Sequence, residues 1–210
     1  KKVLVKYQIV ALLPLFAFVA SLGGNIINAA TNANDARIHV LTLVGSDAIL
    51  LESNGHFGLI DAGEDSDYPD GRDDRYPKRS GITLSPKLAC EDKVIEYLKS
   101  VGVTKDNLDF FLGTHAHSDH IASADEVIKE FEPETVYLME YSDKYILKSD
   151  RLWDNQYVYD CAVSAAKDVG AELIQNFNDA NAHFTLGNMQ LEIVNYSEDY
   201  KTTPKDDANA

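Results

Sequence analysis

Between Thr114 and His120 the chain reads Thr-His-Ala-His-Ser-Asp-His, which puts three of its six histidines and a carboxylate into seven positions. Neutral imidazoles together with a carboxylate are the donor set for Zn2+ or another borderline first-row metal. Donors this close in sequence must sit on a turn rather than along a regular helix. His115, His117, Asp119 and His120 are therefore the candidate metal ligands, and Asp119 is also the candidate catalytic residue, able to orient an attacking hydroxide or carry its proton. The alternative is a solvated loop that happens to be rich in histidine.

The elements around this window suit a ligand turn. Residues 108–112, Leu-Asp-Phe-Phe-Leu, form an apolar run that reads as a buried strand, and Gly113 and Thr114 lead out of it. Across residues 121–131 the apolar positions Ala124, Val127, Ile128 and Phe131 recur at helical spacing. The window thus falls between a strand and a helix. Upstream, apolar runs at 37–44, 48–51 and 58–63, separated by Gly45-Ser-Asp and Ser53-Asn-Gly, predict three adjacent strands. A helix is expected over 87–101, with Cys90, Val94, Leu98 and Val101 on one face and Gly102 as its stop. After Pro133 come a strand at 135–139 and a helix at 155–169 that stops at Gly170. Short strands at 172–175, 183–186 and 189–196 follow, with Gly187-Asn188 as a hairpin turn. This order suits one layered α/β domain.

His115-x-His117-x-Asp119-His120 after a strand resembles the signature of the metallo-β-lactamase fold hydrolases, and Leu59-Ile-Asp-Ala-Gly63 resembles the strand end beneath their metal site. The resemblance implies an α/β fold, the metallo-β-lactamase αββα sandwich, of which this chain covers mainly the first half. It implies two Zn2+ in the complete domain, the first two histidines holding one metal and the Asp-His pair helping to hold the second. Asp61 then supports the ligands without being one. Two metals at such spacing clamp a bridging hydroxide as nucleophile and neutralise charge on a phosphoryl or acyl oxygen.

The segments from Asp61 to Gly71, Arg75-Tyr-Pro77, Arg151-Leu-Trp-Asp-Asn155, Tyr159-Asp160, Ile174-Gln-Asn176 and Ala182-His-Phe184 resemble, more narrowly, the phosphorylcholine esterase domain of choline-binding surface proteins. That resemblance runs from residue 59 to residue 196 and implies phosphodiester hydrolysis releasing phosphorylcholine from cell-wall teichoic acids. A choline head needs an aromatic and acidic pocket, and Trp153, Tyr157 and Tyr159 are candidate cation–π faces, with plain packing at a helix start as the alternative. The bridging Asp and the further His of the family's second half have no counterpart after Tyr196, so a fragment ending between the halves is expected. Another esterase or lactonase of the same fold, or a non-catalytic surface binding module, are the competing readings.

With 210 residues, 45% of them hydrophobic, the chain can bury a core in one domain. A net charge of -15 argues against a surface for nucleic acid, which needs a basic stripe to displace counterions. The expected partner is a small molecule or a cell-wall polymer, and no partner protein is predicted. Residues 1–30 open with Lys1, Lys2 and Lys6, continue in a nearly unbroken apolar run from 9 to 22, and end in small residues. They predict a signal peptide, with a membrane anchor as the alternative, and hence a secreted or cell-surface protein. Residues 31–36 read as a polar linker, 37–196 as the domain, and 197–210 as a polar tail or the loop between halves.

The stretch 61–79 alternates acids and bases. Asp65-x-Asp67-x-x-Asp70-Gly71 resembles a calcium loop only in outline, because the third acid falls one place late. The alternative is a loop laced by exposed ion pairs, and its length marks it as an active-site rim. Cys90 and Cys161 lie on the apolar faces of two predicted helices, and a disulfide and two buried thiols are both open. His183 reads as structural, while His39 and His56 have no ligand spacing.

Overall fold

The computed structural model describes residues 35–77, 89–147 and 154–196. Strands β1 (Ala36–Val40), β2 (Ile49–Ser53) and β3 (His56–Ile60) form an antiparallel meander. The β2–β3 hairpin turns on Asn54 and Gly55, both at positive φ (55° and 81°), the backbone that an Asn-Gly turn adopts. From β3 to β6 the chain crosses over through helices, so these strands run parallel. Helix α1 (Glu91–Val101) leads to β4 (Leu108–Gly113), and α2 (Ser118–Ile121) with α3 (Ala124–Phe131) leads to β5 (Thr135–Leu138). A 3-10 turn at Asp143–Tyr145 and α4 (Asn155–Val169) then lead to β6 (Glu172–Ile174). The sheet order is β1-β2-β3-β4-β5-β6, and β7 (His183–Leu186) pairs with β8 (Met189–Glu192) as a separate hairpin.

The two-residue period of the strands divides the core. Leu50, Phe111, Val136 and Leu138 pack in one cluster with Val94 and Leu98 of α1, Val127, Ile128 and Phe131 of α3, and Ala162, Ala165 and Ala166 of α4. Leu51, Phe110 and Tyr137 belong to a second cluster with Phe177, Phe184 and Leu186. Tyr137 stacks on Phe184 at 4.7 Å between ring centroids. Gly58 is required by this second cluster, since a Cβ there would lie 2.2 Å from the Phe110 ring. Gly58→Ala is expected to destabilise the fold by roughly 1–3 kcal/mol, the range for overpacking a core. Urea unfolding checks this, and Phe110→Leu in the same chain should recover part of the loss.

Several boundaries differ from the sequence expectation for identifiable reasons. The expected helix over 121–131 is two helices, because Ser123 turns aside to donate its N–H to Gly63 O (2.9 Å) and its hydroxyl to Glu64 O (2.8 Å). The third strand ends at Ile60 rather than 63, because Asp61 adopts a left-handed backbone at φ 55°. The last strand ends at Glu192, short of 196. Gly102 and Gly170 stop α1 and α4 in the left-handed conformation. No disulfide joins Cys90 to Cys161. Burial pushes the Cys161 thiol up to about 11, which keeps it an inert proton-bearing group at neutral pH. No helix among the described residues is long and apolar enough to cross a membrane. The expectations for residues 1–30, the linker through residue 34, residues 87–88, Trp153 and the tail from 197 lie outside the described residues.

Candidate metal centre

Parallel pairing of β3 with β4 brings two chain segments 53 residues apart to one end of the sheet, the carboxyl end, where open α/β sheets hold their ligands. Asp61 leaves β3 there and Thr114 leaves β4. Asp61 is 3% exposed, and its N–H donates to Leu112 O at 2.9 Å. Its carboxylate accepts from Thr114 N–H (2.8 Å), from the Thr114 hydroxyl (2.8 Å) and from His120 Nδ1 (2.8 Å). The His120 carbonyl in turn accepts from Ala62 N–H (2.7 Å) and Gly63 N–H (3.1 Å). The ligand turn is thereby stitched to the end of β3 from both sides.

These bonds fix which ring nitrogens remain available. A carboxylate only accepts, so the Thr114 hydroxyl must donate its single proton to Asp61 and can only accept from His115 Nδ1, 3.0 Å away. His115 therefore carries its proton on Nδ1 and offers the Nε2 lone pair. By the same logic His120 donates from Nδ1 to Asp61 and offers Nε2, which lies 3.7 Å from Asp119 Oδ2. Burial, followed by the neighbouring His120 and His117, pushes the His115 pKa down to about 4 and keeps its ring neutral at physiological pH. The hydrogen bond to Asp61 raises that of His120. The His115 ring centroid is 4.0 Å from His120 and 4.7 Å from His117. His117 Nε2 is buried and has no hydrogen-bond partner. A buried nitrogen without a hydrogen-bond partner beside two further imidazoles and a carboxylate suits an ion-binding role, and the donor set fits Zn2+.

A family model described as the metallo-beta-lactamase superfamily matches residues 41–175. The chain belongs to that superfamily. Among solved structures, the metallo-beta-lactamase-type chain is similar to a hydrolase, AbOPH, of the beta lactamase superfamily at 17% identity and a TM-score of 0.40, covering 66% of this chain and 45% of the other. It is also similar to AiiA of B. thuringiensis, solved with N-decanoyl-L-homoserine at its active site, at 18% identity and a TM-score of 0.37, covering 65% and 50%. The chain thus spans about half the length of the solved structures it matches. No curated protein matches it.

Within this superfamily member, His115, His117, His120 and Asp61 meet at one place, with Asp119 beside them, its side chain 46% exposed. Sequence reasoning missed Thr114 as the group that sets the His115 tautomer, because its partner Asp61 is remote in sequence. Tyr157 lines a rim cavity of about 300 Å3 with Tyr68, Pro69, Asp70, Gly71, Asp73 and Tyr76. Tyr159 does not offer an open aromatic face. It is 4% exposed, packs against Tyr141 at 5.8 Å and accepts a hydrogen bond from Gln175, which corrects its reading as a cation-binding residue. His183 is exposed in β7. His39 pairs with Glu52 and Tyr97, and His56 with Asp109.

The rim carries the expected surface ion pairs, Asp70 with Arg72 and Asp73 with Arg75. Asp65, however, gathers with acids from α3 rather than from its own loop. Asp65, Asp125 and Glu126 each bring a carboxylate oxygen within 4.8 Å of the other two. Among the described residues this is the one group of three or more metal-type donors packed so tightly. Burial is the first cause that pushes Asp65 and Glu126 up to about 8. Raised folded pKa values mean stability that is fully present below the unfolded carboxylate range, near 4, and lost as pH rises through about 8. In chelator-treated protein, Glu126→Gln should gain melting temperature over the parent as pH increases from 6 to 9 (chosen to bracket that range). A constant difference across these pH values would refute the assignment.

Proposed function

We propose that this chain is the metal-holding part of a zinc-dependent hydrolase that cleaves phosphodiesters, with phosphorylcholine esters of cell-wall polymers as substrates, and that it works outside the cell. The observation that carries the metal reading is the buried, unpartnered Nε2 of His117 beside two rings whose hydrogen bonds leave Nε2 free. His115 and His117 would hold one ion, and Asp119 and His120 would help to hold a second. Zinc bound there supplies Lewis acidity and lowers the pKa of water toward neutrality. Asp61 orients His120, Thr114 orients His115 through its hydroxyl, and the half-exposed Asp119 carboxylate is the group open to receive a proton.

Support for a cationic head comes from the rim cavity. Its walls combine the rings of Tyr68, Tyr76 and Tyr157 with Asp70 and Asp73, and the Arg75 guanidinium, paired with Asp73, lies 4.8 Å over the Tyr76 ring, which is the kind of contact a quaternary ammonium would make with these rings. Tyr76 and Tyr157 meet edge to face at 5.3 Å. The positive leader and apolar run of residues 1–30 support export.

The test pairs zinc analysis with hydrolysis of a nitrophenyl phosphorylcholine ester, its choline-free analogue and a simple lactone. Zinc bound in proportion to activity, with the choline ester cleaved fastest, is the expected result. Absence of bound zinc overturns the metal reading. Zinc-dependent cleavage that ignores choline or favours the lactone overturns the substrate.

A further inference from the structure

The acid that follows Asp61-Ala-Gly is Glu64, whose N–H, carbonyl and carboxylate Oε2 are each hydrogen-bonded. Its N–H donates to Ser46 Oγ (3.2 Å). Its carbonyl accepts from Cys90 N–H (2.7 Å) and from the Ser123 hydroxyl (2.8 Å). Its carboxylate oxygen Oε2 accepts from the Ser118 hydroxyl at 3.1 Å. Ser118 stands between His117 and Asp119, two of the proposed ligands, and opens α2. The carboxylate of Glu64 thus grips the backbone position that joins one ligand to the next, while its main chain is pinned to the residues before α1 and α3.

The opposite side of the same turn is already held by Asp61 through Thr114 and His120. At Ser118, where His117 and Asp119 diverge, the hydroxyl is the side-chain anchor: it donates to Glu64 at 3.1 Å, and the buried carboxylate of Asp154 is the other acid within its reach. The location matters because Ser118 is the residue between His117 and Asp119, so its placement sets where both donors point. The surroundings of Glu64 are also unfavourable for a carboxylate. Burial, with Asp154 and Asp119 nearby, raises its pKa, and no ion pair with it occurs among the described residues.

We infer that Glu64 is a positioning residue for the metal centre, acting through the Ser118 hydroxyl to set where His117 and Asp119 present their donors. This rests on the zinc reading above and concerns a residue that does not itself touch the ion. Outer partners that orient ligands typically change metal affinity by roughly 10–100-fold. They act as one unit with the group they hold, so their removal is not additive.

The experiment measures zinc affinity of the whole chain by competition with a fluorescent chelator, beside the melting temperature of the metal-free protein. Glu64→Ala and Ser118→Ala should each weaken zinc by roughly tenfold or more. The double variant should be no weaker than the worse single one, and Glu64→Gln, which keeps an accepting oxygen, should restore most of the affinity. Ser118→Ala removes one oxygen and keeps the test available if Glu64→Ala fails to fold. Unchanged zinc affinity in the single variants, even with a lowered melting temperature, overturns the inference, as does strict additivity in the double variant. A parent chain that binds no zinc removes the metal reading itself, whereas a parent that binds and variants that bind equally remove this inference alone.

Discussion

Asp61→Ala is expected to cost about 3 kcal/mol or more of folding stability, because it strips partners from several donors at once and leaves each short of an acceptor. The donors are Thr114 N–H, the Thr114 hydroxyl and His120 Nδ1. Alanine would also have to hold φ near 55°, a left-handed backbone that a short polar side chain tolerates and alanine does not. Zinc affinity should fall as well, by roughly 10–100-fold, since both His120 and Thr114 lose the group that orients them. Asp61→Asn separates the two effects. It keeps the backbone preference and one accepting oxygen, so it should recover part of the stability. Its amide nitrogen cannot accept the Thr114 N–H, but its oxygen in the Oδ2 position still takes both the Thr114 hydroxyl and His120 Nδ1, so zinc affinity should recover more fully than stability. Urea unfolding and chelator competition measure both quantities. A loss under about 1 kcal/mol for Asp61→Ala would show that these bonds are replaced by water.

His117→Ala should have the opposite signature. Zinc binding is expected to be lost to the limit of detection. The metal-free protein should keep its stability within about 1 kcal/mol or gain some, because the substitution removes a buried nitrogen that has no partner. The contrast between the two variants distinguishes a ligand from a support. A ligand is a liability to the empty fold, whereas Asp61 stabilises the fold whether or not an ion is bound. A large stability loss in metal-free His117→Ala would mean that this ring packs the core and is not held in reserve for an ion.

Much of this was legible because it is local. The order of strands and helices, the Asn54-Gly55 and Gly187-Asn188 turns, and the stops at Gly102 and Gly170 each follow from residues within a few positions of one another. The ligand window was legible for the same reason. What the sequence concealed is what strand pairing creates. The Thr114–Asp61 bond spans 53 residues, Ser118–Glu64 spans 54, and no periodicity marks either. The split between α2 and α3 was hidden because its cause, Ser123 bonding to Gly63 and Glu64, lies in another segment. Tyr159 misled because a tyrosine on a helix reads alike whether it faces solvent or the core, and here it is buried.

One consequence follows from placing every proposed ligand between His115 and His120 while their supports come from β3 and the rim. A peptide of six residues carrying three imidazoles and a carboxylate is already a chelator before the chain folds. Zinc will therefore bind the denatured ensemble as well, and the stabilisation it confers depends on the ratio of the two affinities rather than on the native affinity alone. That ratio is supplied by the remote partners. Substitutions at Asp61 or Glu64 should thus flatten the dependence of melting temperature on zinc concentration even where zinc still binds.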